Sequence, residues 1–155
     1  MRFYTLLFPL AVFVGLATAN DPPYGPWNIT NYIQRRSSVA PSGYTYSFNI
    51  TYAPVPGYSK PGDSQPHTEP AFTTFCKGND TQGTLNPCDD PAVSATTIPA
   101  PGHATLVVMH VYSVPDSPET RAVEYFLAGN TTVKRPFLLV PQTLQIIATQ
   151  ETVEA

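Results

Sequence analysis

The stretch Tyr44-Thr45-Tyr46-Ser47-Phe48-Asn49-Ile50-Thr51-Tyr52 decides how the rest of the chain is read. Its even positions are aromatic or aliphatic and its odd positions carry hydroxyls or an amide. Side chains alternate between the two faces of a strand, so a period of two with these residue types predicts a half-buried β-strand. Asn49 falls on the wet side, and Asn49-Ile50-Thr51 is an Asn-x-Thr sequon with no proline in the middle. A glycan has to project into water, so the acceptor rule and the hydrophobic pattern agree on which face looks out.

Trp27-Asn28-Ile29-Thr30 repeats this pattern with the opposite parity: Trp27 and Ile29 point inward, and the sequon residue Asn28 points outward. Two further sequons begin at Asn79 and Asn130. Strand-like runs follow at 71–77, 92–98, 104–114, 121–128, 131–135 and 137–149, the last divided or placed at a sheet edge by Pro141. Gly129-Asn130 reads as a hairpin turn with Asn130 at its tip. Thr105 to Tyr112 is apolar at nearly every position, which predicts a central strand covered on both faces. No segment shows a capped helical period. The expected architecture is all-β, an antiparallel β-sandwich or flattened β-barrel of about seven to eight short strands.

Residues 1–19 have the three parts of a secretory signal: Arg2, an apolar stretch from Leu6 to Leu16, and the small-x-small site Ala17-Thr18-Ala19. That apolar stretch is shorter than the roughly 20 residues a spanning helix needs. The polar C-terminus Gln150 to Ala155 has no anchor-attachment tail. The expected mature chain is a single exported domain, 20–155, without a membrane span. Loss of Arg2 leaves seven Lys and Arg against eleven Asp and Glu. A scattered, mildly acidic balance argues against nucleic acid or anionic lipid as a partner.

The two cysteines, Cys76 and Cys88, are expected to form one disulfide in an oxidising compartment. It closes a loop of about 13 residues, worth roughly 3 kcal/mol on the chain-entropy model. Residues 53–70 carry Pro54, Pro56, Gly57, Pro61, Gly62, Pro66 and Pro70 and read as one long irregular loop. Tyr58, Lys60 and His67 within it are the candidate partner-binding residues, Tyr58 as a stacking surface for sugar. A smaller loop at 114–120 is a second candidate contact. Arg35-Arg36 reads as a strand end before Ser37-Ser38; the other reading is a dibasic processing site.

Catalytic and metal chemistry has little foothold. No Gly-x-Ser-x-Gly elbow, His-Glu-x-x-His helix, phosphate loop or dinucleotide fingerprint occurs. His103 and His110 have opposite parity on one predicted strand, so they point to opposite faces. Asp63, Asp80, Asp89 and Asp90 lack the spacing of known calcium loops, and Cys88-Asp89-Asp90-Pro91 reads as turn chemistry. No metal or cofactor is expected. A polysaccharide hydrolase would need paired acids in a cleft, with Asp89, Asp90 or Glu124 as candidates; Glu69 and Glu119 have no assignable partners.

The signal segment, the Trp27-Asn28-Ile29 strand, the Tyr44 to Phe48 alternation, the Cys76…Cys88 pair and Gly129-Asn130 together resemble small secreted β-proteins of filamentous fungi. Among these the chain is similar to the Alternaria major-allergen type, although that family usually carries more cysteines. The resemblance implies a β-barrel without an established catalytic site. The expectation is then a non-catalytic secreted glycoprotein, effector-like or associated with the cell surface or wall. Its partner would be a host protein or a cell-wall polysaccharide. The alternative is the secreted hydrolase.

Overall fold

The computed structural model describes residues 26–38, 43–54, 68–81, 84–114, 122–134 and 140–154. These form nine strands and no helix. In chain order they are β1 (Trp27–Arg36), β2 (Tyr44–Tyr52), β3 (Phe72–Asn79), β4 (Asn86–Pro87), β5 (Val93–Ala100), β6 (His103–Val114), β7 (Val123–Lys134), β8 (Gln142–Ile146) and β9 (Ala148–Glu154). They build a four-stranded sheet ordered β3-β2-β1-β8 and a five-stranded sheet ordered β4-β5-β6-β7-β9. Every pairing is antiparallel. The fold is an open β-sandwich and not a closed barrel.

The alternation that marks β2 is observed: Tyr46, Phe48, Ile50 and Tyr52 are buried between the sheets. On β1, Trp27 and Ile29 are buried, then the inward parity changes to Tyr32 and Gln34. A bulge between Thr30 and Ile33 causes the change, with Asn31 at φ 56°. One extra residue on a strand reverses which side chains face inward. Asn is among the few residues with a side chain that take this left-handed conformation readily. β1 ends at Arg36, as read, and Ser37 N–H donates to the carbonyl of Gly43.

Opposing these residues, Val93, Leu106, Val108, Leu127 and Val133 from the five-stranded sheet complete the core. Cys76 and Cys88 are bonded, with Cα atoms 4.3 Å apart. Because Cys76 lies on β3 and Cys88 lies between β4 and β5, the bond ties one sheet to the other and not merely a loop. The adjacent Asp89 N–H donates to the Phe75 carbonyl at 2.9 Å and reinforces that seam.

Three expectations need correction. Gly129-Asn130 is not a turn: β7 runs unbroken and pairs with β6 along its whole length. The glycine serves close approach instead, since a Cβ there would lie 2.5 Å from Ile146 Cγ2 and 2.6 Å from the Ile147 carbonyl oxygen. The true two-residue hairpin is Pro101-Gly102, with Gly102 at φ 74°, between the paired Ala100 and His103. The final segment is two strands in different sheets, crossing at Ile147, with Pro141 just ahead of β8. Lastly, β6 is central but only one face is fully covered. Leu106, Val108 and His110 are buried, while Val107, Met109 and Val111 remain half-buried.

Candidate functional site

The two N-terminal sequons meet across the β1–β2 pair. Asn28 lies opposite Thr51, Ile29 opposite Ile50 and Thr30 opposite Asn49. Each acceptor asparagine therefore faces the threonine of the other sequon, while both isoleucines go into the core. The asparagines are diagonal neighbours on one outer face, about 7–8 Å apart.

Their flanks differ. Asn28 is exposed; its Oδ1 accepts from Gln145 Nε2 on β8 at 3.0 Å, and its Nδ2 donates to the Pro26 carbonyl at 3.4 Å. Asn49 lies between Thr30 on β1 and Phe75 on β3. Phe75 is 37% exposed and is the one aromatic ring among the described residues of that face. Beyond it, Ile33, Arg35, Thr45, Tyr46, Ser47, Lys77 and Gly78 line an open depression of about 510 Å³. Beneath it the Tyr46 hydroxyl donates to the Ala95 carbonyl at 2.6 Å and accepts from Asn86 Nδ2 at 3.2 Å. Burial pushes this phenol up to about 12, against the lowering effect of Asn86.

The other two sequons are placed differently. Asn79 ends β3, and its Oδ1 accepts from the hydroxyl of its own sequon residue Thr81 at 2.6 Å and from the Thr81 N–H at 3.1 Å. Asn130 is exposed on the outer face of β7, opposite Val107, rather than at a hairpin tip.

On the inner face sits a polar group that sequence reasoning left without partners. Glu69, directly ahead of β3, is 1% exposed. Its Oε1 accepts from Trp27 Nε1 at 3.0 Å and from His110 Nδ1 at 2.6 Å. A carboxylate oxygen accepts only, so Nδ1 is the protonated ring nitrogen in this contact. Trp27 belongs to one sheet and His110 to the other, so a single carboxylate oxygen joins them across the core. The Phe72 ring centre lies 4.4 Å from that of His110 and 6.1 Å from that of Trp27, the latter pair in an edge-to-face arrangement. Tyr52 is pushed up to about 12 by burial, then by the neighbouring Glu69 charge and a hydrogen bond to that carboxylate. The signal for this group was a donor count: an inward Trp N–H and an inward histidine both need an acceptor in the core. Nothing in the spacing named Glu69 as that acceptor.

The remaining candidates do not gather. Tyr58, Lys60 and His67 lie outside the described residues, as do Asp63 and Glu119. His103 is exposed and His110 buried, on opposite faces of β6 as expected. Asp90 shows the turn chemistry expected, accepting from the Ala92 N–H at 3.0 Å, and Asp89 is exposed beside it. Glu124 projects from the outer face of β7 opposite Ser113, two strands from the turn that enters β5. Asp80 is buried and accepts from the Tyr44 N–H at 3.3 Å. Among the described residues, no three His, Cys, Asp or Glu side chains are grouped to hold a metal ion. No protein family, characterised protein or solved structure matched the chain in comparisons.

Proposed function

We propose that the chain is an exported fungal glycoprotein that binds a partner without catalysing a reaction. The observation that carries this reading is the pairing of Asn28-Ile29-Thr30 with Asn49-Ile50-Thr51 on one outer face. Asn130 on the outer face of the other sheet adds to it. Glycans on both outer faces leave the ends and edges of the sandwich for contact.

One end is favoured. β2 stops at Tyr52 and β3 starts at Phe72, which pair with each other; β6 stops at Val114 and β7 starts at Val123, which also pair. The Phe72–His110 ring contact brings these strand ends together across the sandwich. The strand ends that flank 53–70 and 114–120 therefore lie at the same end, beside an aromatic cluster that includes Tyr112 and Tyr125. Binding residues are commonly carried on segments that a rigid scaffold of strands holds at their ends. The partner classes are a host protein and a cell-wall polysaccharide.

The test exchanges residues 53–70 for a short turn that retains Glu69 and measures capture from host extract and from wall polysaccharide in parallel. Loss of capture by a variant with a native unfolding transition supports the reading. Unchanged capture discards it. The hydrolase alternative draws no support from Asp89, Asp90 and Glu124 in their observed positions.

A further inference from the structure

We infer that the glycan on Asn49 is seated on Phe75, making this pair a built protein–carbohydrate contact on the four-stranded sheet. The inference rests on the export reading and goes beyond it by naming the residue that holds the sugar.

Phe75 is out of place by the logic of its strand. Its neighbours of the same parity, Thr73 and Lys77, are exposed polar residues, and β3 buries Phe72, Thr74 and Cys76 on the other side. An aromatic ring left 37% exposed among polar neighbours on the edge strand of this sheet forgoes part of the benefit of its burial. Register supplies the missing cover. Phe75 is directly opposite Asn49, so the two Cβ atoms are about 4.5–5.5 Å apart. The first sugar on Asn49 Nδ2 is a β-linked N-acetylglucosamine, whose flat face presents axial C–H bonds. Those weakly positive hydrogens match the electron-rich face of a phenyl ring.

The second sequon steers the sugar the same way. Asn28 occupies the diagonal position on the Thr51 side of Asn49, about 7–8 Å away. A glycan there, with Gln145 against it, crowds that direction. The side left open leads over Phe75 toward the depression lined by Ser47 and Lys77. Asn28 itself has Gln145 as its neighbour on β8 and no ring beside it. The two sequons, matched in the strand ladder, are thus unequal as sugar seats.

The experiment uses full-length protein secreted from a eukaryotic host: wild type, Phe75→Thr, Asn49→Gln and the double variant, with occupancy read by intact mass. Thr is a good strand residue, so the backbone preference at position 75 is kept. Phe75→Thr is expected to lower Tm by about 3–5 °C when Asn49 carries its glycan, and by under about 1 °C in the Asn49→Gln background. Trimming to the first sugar should preserve the difference, and removing that sugar should abolish it. Ring-current shifts of the sugar protons, lost in Phe75→Thr, give a second readout that does not depend on stability. Equal Tm losses with and without the glycan overturn this inference alone. An unmodified Asn49 in the secreted protein also overturns it and leaves the export reading standing, whereas retention of the chain inside the cell overturns both.

Discussion

The two faces of the β1–β2 pair are built from alternate residues of the same strands, yet they do opposite things. Inward, Trp27, Ile29, Phe48 and Ile50 are fully buried, and Trp27 donates to a carboxylate that also holds His110 of the facing sheet. Outward, Asn28, Thr30, Asn49 and Thr51 make up two interlocked sequons, and the hydroxyl of Thr73 on β3 reaches Thr51 only at 3.4 Å. Cohesion is concentrated on one face, and the other is left free to carry attached groups. Any group attached at the outward asparagines would thus leave the residues that hold the sheets together untouched. Substitutions that break these inward contacts should therefore destabilise the protein far more than changes at the outward positions of β1 and β2.

The sharpest break is at Glu69. Glu69→Leu leaves Trp27 Nε1 and His110 Nδ1 as buried donors with no acceptor, at an expected cost of about 3–5 kcal/mol. Urea denaturation with an unchanged m-value measures this. Adding His110→Phe should recover part of the loss, because an apolar pair requires no acceptor. A double variant no more stable than Glu69→Leu would show that the carboxylate does not bridge the sheets.

Next in size is the seam at the sheet edge. Cys76→Ala with Cys88→Ala removes a covalent tie across a loop of about 13 residues and should cost about 3 kcal/mol. The same result is expected from reducing the wild-type protein, and both are read as a lowered urea midpoint.

Alkaline titration probes the inner face in another way. Tyr46 and Tyr52 both hold their phenolic protons to about pH 12 in the folded protein, against an ordinary value of 10.0. Between pH 10 and 12 the unfolded chain releases these protons first, so unfolding is favoured progressively. The stability they contribute is intact below pH 10 and is lost as the pH rises through 12. Tyr46→Phe should make the decline of the urea midpoint across this window shallower. An unchanged slope would remove Tyr46 from the linkage.

Much of this division was legible in the sequence, because alternation and sequon parity report the same physical fact at Asn28 and Asn49. The all-β class, the Trp27 and Tyr44 strands and the disulfide follow from residue type and local spacing. What was not legible depends on contacts distant in sequence. Glu69 finds Trp27 42 positions away and His110 41 positions away, and no local pattern encodes that meeting. The Asn31 bulge exchanges the inward side chains of β1 midway, which reading a fixed period past Thr30 cannot anticipate. Gly129 misled because a glycine needed for close packing looks identical to one needed for a turn. The interlocking of the sequons required the strand register, which two separately correct strand assignments do not supply.

Gln34 offers a smaller test, and its sign is opposite. It faces inward after the bulge, 5% exposed, with neither Oε1 nor Nε2 hydrogen-bonded. Burying an amide without partners costs free energy, so Gln34→Leu, close in volume, should stabilise the protein by about 1 kcal/mol. A destabilised variant would mean that the amide is satisfied in solution, by water for instance.

The smallest effect belongs to the outer face. Thr73 is exposed, and its hydroxyl donates to Thr51 Oγ1 at 3.4 Å, near the limit of a useful hydrogen bond. Cross-strand hydroxyl pairs contribute a few tenths of a kcal/mol at most when water competes for both groups. Thr73→Val keeps the β-branched shape and deletes only the hydroxyl, so the expected change is within about 0.5 kcal/mol. It should also leave occupancy of Asn49 unchanged, because the sequon hydroxyl is that of Thr51 and not of its neighbour. A loss of more than 1 kcal/mol, measured by urea denaturation on the deglycosylated protein, would mean that the outer face shares in holding the sheet together. The contrast between the two faces would then be one of degree.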